Sequence, residues 1–289
     1  MTDVRPRRSV LYMPGANERA LEKAKTIDAD ALILDLEDSV APDSKAQGRD
    51  NVCAAVRSGE YGHRELVVRV NAIGTEWHDD DLKAAAAAGP DAILVPKVES
   101  AEQVHSLVAA IEAAGAPDKT QLWAMIETPR ALLHAEEIAN SHDRLTVIVM
   151  GTNDIVNETY GLHVPGRNPV VQMALAWTLI AVRAAGKVII DGVYNDVRNE
   201  EGFAAEARQG REMGFDGKTL IHPTQVEPCN DAFSPSEEDV ERAEGLIAAF
   251  EEAKASGAGV VTYNNKMVEE LHVRDAKRIL AFATGLSTR

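Results

Sequence analysis

A chain of 289 residues with 45% apolar residues has enough material for a large buried core, and its formal charge of −16 at pH 7 argues against unaided binding to nucleic acid or an anionic membrane. Only 4% of the chain is aromatic, and Ala-rich stretches such as Ala84–Ala88 favour the packing of small-residue helices over an all-β core. The start MTDVRPRRSV has no apolar signal core and no run reaches the roughly 18 apolar residues of a membrane span, so a soluble, cytoplasmic protein is expected.

Strand and helix signals alternate from the start. A strand over Ser9–Met13 meets Pro14-Gly15, and a helix follows from Glu18 to about Ile27. The second strand ends at Asp38, ahead of a helix over Ser44–Val56. The third ends near Asn71, and the helix Asp80–Ala88 stops at the breaker Gly89-Pro90. The fourth ends at Lys97, with Ser100 as N-cap of a helix reaching Ala114. The fifth ends at Glu127 before Pro129 and a helix over Arg130–Ala139; the sixth, Leu145–Met150, runs into Gly151-Thr152-Asn153-Asp154. A helix over Val170–Ala185 leads to the seventh strand, Lys187–Asp191, and Glu200–Met213 leads to the eighth, Thr219–Ile221, which ends in His222-Pro223. Eight such units in about 250 residues predict a (β/α)8 TIM barrel over residues 1–233, with a doubly wound open sheet as the alternative. Residues 234–289 read as a C-terminal helical lid extension: a helix over Ser236–Ala255 with a capping box, a linker Ser256-Gly257-Ala258-Gly259, a short strand Val260–Tyr263 and a helix Arg274–Ala283. This tail is too small for a core of its own, so it is expected to pack on the barrel or on a neighbouring subunit.

The strands carry a second pattern. Side chains alternate along a strand, so Ile33, Asp35 and Glu37 share a face, as do Val67, Arg69 and Asn71. The same reading groups Ile93, Val95 and Lys97, then Trp123, Met125 and Glu127, then Ile189 and Asp191. Apolar residues first and a charge last place polar groups at the carboxyl edge of a parallel sheet, where α/β enzymes keep their chemistry. An enzyme is expected.

Glu127 and Asp154 both follow apolar strands, at a spacing that suits consecutive βα units, and would stand side by side on one rim. Two carboxylates without His or Cys suit Mg2+, with Mn2+ as an alternative, water and substrate oxygens completing the shell; a buried ion pair or a helix cap is the competing reading. Arg69 offers a planar fork to a carboxylate or a developing oxyanion, against a structural salt bridge to Glu37 or Asp35. Lys97 is read as an ion-pair partner ahead of a Schiff-base amine, and His222 as a hydrogen-bonded rim histidine ahead of a base or ligand. Gly15 reads as an ordinary turn ahead of a phosphate-facing amino terminus. Arg19 and Lys23, four apart on the first helix, suit a nucleotide phosphate or a solvated face. Cys53 and Cys229 lack metal-ligand spacing and read as reduced thiols.

Taken together, R-S-V-L-Y-M-P-G, L-D-L-E-D-S-V-A-P with Lys45 following, R-V-N, P-K-V-E, I-E-T-P, G-T-N-D and G-F-D-G-K-T-L-I-H-P-T-Q-V resemble the HpcH/HpaI aldolase and citrate lyase β-subunit superfamily from Arg8 to about Phe250. The resemblance implies a Mg2+-dependent barrel, trimeric or hexameric with lid exchange, that makes or cleaves a carbon–carbon bond in a 3-hydroxyacyl-CoA thioester, giving a 2-oxo acid and an acyl-CoA. It implies Glu127 and Asp154 as metal ligands, Arg69 as the substrate-binding arginine, and Glu37 and Asp38 as acidic residues beside the site. The tail Asn264–Arg274 (NNKMVEELHVR) is similar to the lid of malyl-CoA and citramalyl-CoA lyases, with Glu269 where those lyases place a catalytic Asp. A lyase is therefore expected first; a (3S)-malyl-CoA thioesterase on the same scaffold and a citrate lyase β-like subunit are the alternatives.

Overall fold

Eight parallel strands close on themselves in sequence order in the computed structural model, which describes residues 5–164, 166–256 and 261–288. They are β1 (Ser9–Pro14), β2 (Ala31–Asp35), β3 (Glu65–Arg69), β4 (Ala92–Val95), β5 (Gln121–Ile126), β6 (Leu145–Met150), β7 (Val188–Asp191) and β8 (Gly217–Leu220). Pairing of Val10 with Thr219 joins β1 to β8 and closes the ring, which excludes the open sheet. The chain is a (β/α)8 barrel.

Two apolar layers follow from the alternation. Val10, Ile33, Val67, Leu94, Trp123, Met125, Val147, Val149 and Ile190 fill the inside. Leu32, Leu34, Val68, Ile93, Val95, Ile148 and Ile189 face the helices. At the amino end, Arg7 grips Glu65 through two hydrogen bonds of 2.6 and 2.8 Å and lies over the Trp123 ring, which plugs the barrel floor.

Two of the predicted inward faces are corrected. Ile93 and Val95 point outward, because β3–β4 register sets Arg69 beside Leu94 and makes Ala92 and Leu94 the inner residues. Asp191 also points outward: it stands in register with Lys218 of β8, and both are fully buried beside Arg167 and Glu206. A carboxylate so enclosed is a structural ion-pair partner and does not face the barrel mouth. The single helix expected over Arg130–Ala139 is two, Pro129–Leu133 and Ala135–Asn140, because His134 leaves helical geometry and its Nδ1 bonds the Glu99 carbonyl at 2.9 Å. Helices at Thr152–Glu158 and Val226–Phe233 add to the predicted elements.

The larger compact unit is Arg7–Phe233, and the second is built from the stretch that begins at Ser234. In the second unit, helix Glu237–Ser256 packs on helix Glu270–Ser287 and on the antiparallel pair Val261–Tyr263 and Lys266–Val268. From Gly257 to Gly259 the predicted linker lies outside the described residues. Among the described residues no helix is long and apolar enough to cross a membrane.

Candidate active site

The carboxyl ends of β1, β2, β3, β5 and β6 enclose a cavity of about 400 Å³ lined by Tyr12, Asp35, Arg69, Met125, Glu127 and Asp154. Asp35 and Arg69 stand in register on neighbouring strands, so one carboxylate and one guanidinium meet without bending either strand. Arg69 Nε and Nη2 donate to the two Asp35 oxygens at 2.6 and 2.8 Å, the fork-on-carboxylate geometry that fixes the guanidinium plane. Its third nitrogen, Nη1, is 2.8 Å from Glu37 and 3.6 Å from Asp38, and the Tyr12 ring lies 4.7 Å from the guanidinium carbon. The structural reading of Arg69 is therefore present, with Asp35 on one edge and Glu37 on the remaining nitrogen, and the residue also lines the cavity. The guanidinium holds Asp35 below the usual carboxylate range despite burial, and Arg69 itself is held firmly protonated.

Past Asp35 the chain leaves the sheet. The Glu37 and Ser39 amides donate back to the Asp35 carboxylate at 2.9 and 3.1 Å. Lys45 then pins the loop from behind, its ammonium donating to the Leu36 and Glu37 carbonyls at 2.8 Å and to Asn71 Oδ1 at 2.7 Å. The Glu37 carboxylate is therefore held against Arg69, while the Asp38 side chain, part of the cavity lining, is largely exposed. Lys45 follows the L-D-L-E-D-S-V-A-P motif, but its anchoring role is not legible there, because nothing in the sequence marks the carbonyls eight and nine residues back as its partners.

Glu127 is nearly buried, and its Oε1 accepts the Lys97 backbone N–H at 2.9 Å. Gly151 lies against it so closely that a Cβ there would stand 2.4 Å from Glu127 Oε2; only glycine fits. Asp154, in the first turn of helix Thr152–Glu158, faces the Lys97 ammonium at 3.3 Å. Burial, with Glu37 and Asp154 nearby, raises Glu127 to about 8, and burial raises Glu37 to about 7. Glu37, Glu127 and Asp154 outnumber the cations beside them, Arg69 and Lys97, so the cluster favours a further positive charge. Among the described residues no three His, Cys, Asp or Glu side chains form a complete ligand shell. Two carboxylates with room for water and substrate oxygens nevertheless fit Mg2+, which keeps several waters and rarely has an all-protein cage.

Other predicted residues lie elsewhere. Arg19 and Lys23 are exposed on helix Glu18–Ala24, just after β1. The Gly15 amide is taken by the Asp35 carbonyl at 2.9 Å, so it is a turn and not a phosphate donor. His222 bonds Thr224 at the rim. Glu269 belongs to the second unit, where it caps helix Glu270–Ser287 and its amide donates to His272 Nδ1 at 3.0 Å. A larger cavity of about 880 Å³ adjoins the first through Thr152, Asn153 and Val193, but its buried charges, Arg167 and Glu206, pair with each other.

This geometry coincides with a sequence match: residues 8–223 fit the HpcH/HpaI aldolase/citrate lyase family. The chain belongs to that family. A relative from Cereibacter sphaeroides strain KD131 named (3S)-malyl-CoA thioesterase is 50% identical over 98% of this chain and 96% of its own. The citrate lyase subunit beta of Escherichia coli K12 is 37% identical over 96% of this chain and 94% of its own. Among solved structures, CitE from Mycobacterium tuberculosis in complex with magnesium, acetoacetate and coenzyme A is similar at a TM-score of 0.77 and 30% identity, covering 96% of this chain and 98% of that one.

The raised carboxyls have a consequence for stability. Glu37 and Glu127 hold protons more tightly in the folded chain than at their ordinary value of 4.5. Their contribution therefore favours folding at low pH, declines as pH rises above about 4.5, and levels off above about 8. Without divalent cations, Glu127→Gln is expected to flatten this decline, seen as a smaller difference between thermal midpoints at pH 5 and pH 8. A variant with the parent's slope would mean that Glu127 is already ionised when no cation is present.

Proposed function

We propose that the protein is a Mg2+-dependent hydrolase of a malyl-CoA-type thioester, releasing free CoA and a 2-hydroxy dicarboxylic acid. The observation that carries this reading is the higher identity to the relative named a thioesterase than to the citrate lyase subunit, each over nearly the whole chain. It reverses the order expected from the sequence, which put carbon–carbon cleavage first. The shared barrel residues serve both reactions, so they do not rank them.

Mg2+, or Mn2+ in its place, held by Glu127 and Asp154, would supply Lewis-acid charge to oxygens of the bound acid. Arg69, its plane locked by Asp35, presents Nη1 to a substrate carboxylate or carbonyl oxygen. Glu37 lies beside that nitrogen and is placed to take a proton from water as the water oxygen adds to the thioester carbonyl carbon. The C–S bond then breaks with its electron pair on sulfur, and the thiolate takes up a proton. Asp38, more exposed, is placed to relay protons to solvent. Arg19 and Lys23 present two positive charges beyond the end of β1 for the CoA phosphates. Incubating the protein with Mg2+ and, separately, malyl-CoA, citramalyl-CoA and 3-hydroxy-3-methylglutaryl-CoA tests the reading. Free CoA with an intact hydroxy acid supports it, and acetyl-CoA with glyoxylate, pyruvate or acetoacetate, respectively, restores the lyase.

Glu269 is the proposed lid carboxylate, reaching the site of an adjacent protomer. Glu269→Gln is expected to lower turnover about tenfold or more while leaving Mg2+ binding intact, and Glu269→Asp to raise the ratio of carbon–carbon cleavage to hydrolysis. Separate assays of glyoxylate and free CoA check both. Parent-like turnover in Glu269→Gln, at an unchanged thermal midpoint, would leave the residue as a helix cap. A homo-oligomer is part of this reading, and one barrel face suits it: Met173, Trp177 and Ile180 are exposed on helix Pro169–Ala184, beside exposed Leu133. That helix has no acidic residue in a chain of charge −16, so charge repulsion between copies is reduced there. A monomer in sedimentation velocity would remove this part of the proposal.

A further inference from the structure

We infer that Lys97 sets the divalent-cation affinity of the Glu127–Asp154 pair, acting as the resident counter-charge that an incoming cation must displace. The inference rests on the metal reading above and extends it to a positioning residue outside the ligand pair.

Lys97 follows β4 with φ of +53°, in the left-handed region. For a non-glycine residue this costs roughly 1–2 kcal/mol, and Lys has none of the local hydrogen bonding that lets Asn264 and Asn265 sit there. The conformation has a visible result. Continued alternation would send the side chain outward with Ile93 and Val95; the left-handed turn brings it to the barrel mouth instead. One residue then serves both carboxylates. Its backbone N–H donates to Glu127 Oε1 at 2.9 Å, and its ammonium stands 3.3 Å from Asp154 Oδ1 and 3.7 Å from Glu158 Oε1.

The two contacts differ in permanence. The backbone hydrogen bond is fixed by the fold and orients Glu127. The ammonium is on a flexible stem and 41% exposed, so it can swing into water. A divalent cation against Asp154 would repel an ammonium held a few ångströms away, so the two compete for one carboxylate. Lys97 therefore orients one ligand permanently and neutralises the other provisionally. Its presence keeps the empty cluster from repelling itself and weakens cation binding by the strength of the displaced pair. Partial exposure limits that strength, so removing the ammonium should tighten binding by about tenfold and not by orders of magnitude more.

Titrating the intact protein with Mn2+, without substrate, and following free Mn2+ by electron paramagnetic resonance tests this. Lys97→Gly keeps the backbone amide and suits the positive φ, so it removes the side chain with its ammonium without adding strain. It is expected to bind Mn2+ about tenfold more tightly than the parent, with an undiminished thermal midpoint. Lys97→Ala keeps the parent's left-handed backbone cost and lacks the ammonium, so it should also bind more tightly than the parent. A gain in affinity is not what structural damage produces. If the parent binds Mn2+ and Lys97→Gly binds it equally or more weakly, the inference is overturned while the metal reading stands. If the parent binds no Mn2+, both are overturned.

Discussion

Arg69→Met is expected to lower turnover by about 10²–10³-fold, because it removes a cationic donor whose plane is fixed beside the cavity. The same change should destabilise the fold by about 3–5 kcal/mol, since Asp35 is buried and would lose both charge-assisted hydrogen bonds. The two effects are separable. Asp35→Asn combined with Arg69→Met removes the uncompensated charge, so it should recover much of the stability and none of the activity. Arg69→Lys keeps a positive charge but cannot bind Asp35 through two parallel hydrogen bonds, so it should fall between in stability and remain poor in rate. Urea denaturation midpoints and initial rates of CoA release check the series. Parent-like rates in Arg69→Lys would mean that the guanidinium plane is not used.

Glu127→Gln and Asp154→Asn are expected to abolish Mg2+-dependent turnover, each for a different structural reason. Glu127 is nearly buried, braced by Gly151 and oriented by the Lys97 amide, so its amide replacement keeps the shape and loses only charge. Because that charge is unfavourable without a cation, Glu127→Gln should be as stable as the parent at pH 8 or more so, while inactive. Asp154 sits at a helix amino end and faces an ammonium, so Asp154→Asn should be inactive with a small stability change. Calorimetric Mg2+ binding and thermal midpoints separate loss of cation from loss of fold. Near-parent rates in either variant would remove the cation from the mechanism.

The sequence revealed the barrel because eight strands of outward-facing aliphatics alternate with helices marked by clear breakers. It placed Arg69, Glu127 and Asp154 at one rim, where all three line one cavity, because each lies at or just past a strand end, where alternation still fixes direction or a helix begins at once. It misread Lys97 and Asp191 for opposite reasons. Alternation cannot anticipate a left-handed residue, so Lys97 was assigned the right destination through the wrong face. For Asp191, direction depends on interstrand register with Lys218, a property of two strands that neither contains alone. The Lys45 anchor and the ion cluster around Asp191 are likewise long-range contacts. They become visible only once the ring is closed.

The most direct measurement is hydrolysis of malyl-CoA in ¹⁸O-water with Mg2+ present, with every product analysed by mass spectrometry. Attack of water on the thioester carbonyl breaks the C–S bond and leaves one solvent oxygen in the released acid. The expected result is free CoA and malate in equal amounts, the malate carrying one ¹⁸O in the carboxylate formed from the thioester, with no such products from Glu127→Gln. Acetyl-CoA and glyoxylate in place of labelled malate would contradict the account and identify a carbon–carbon lyase.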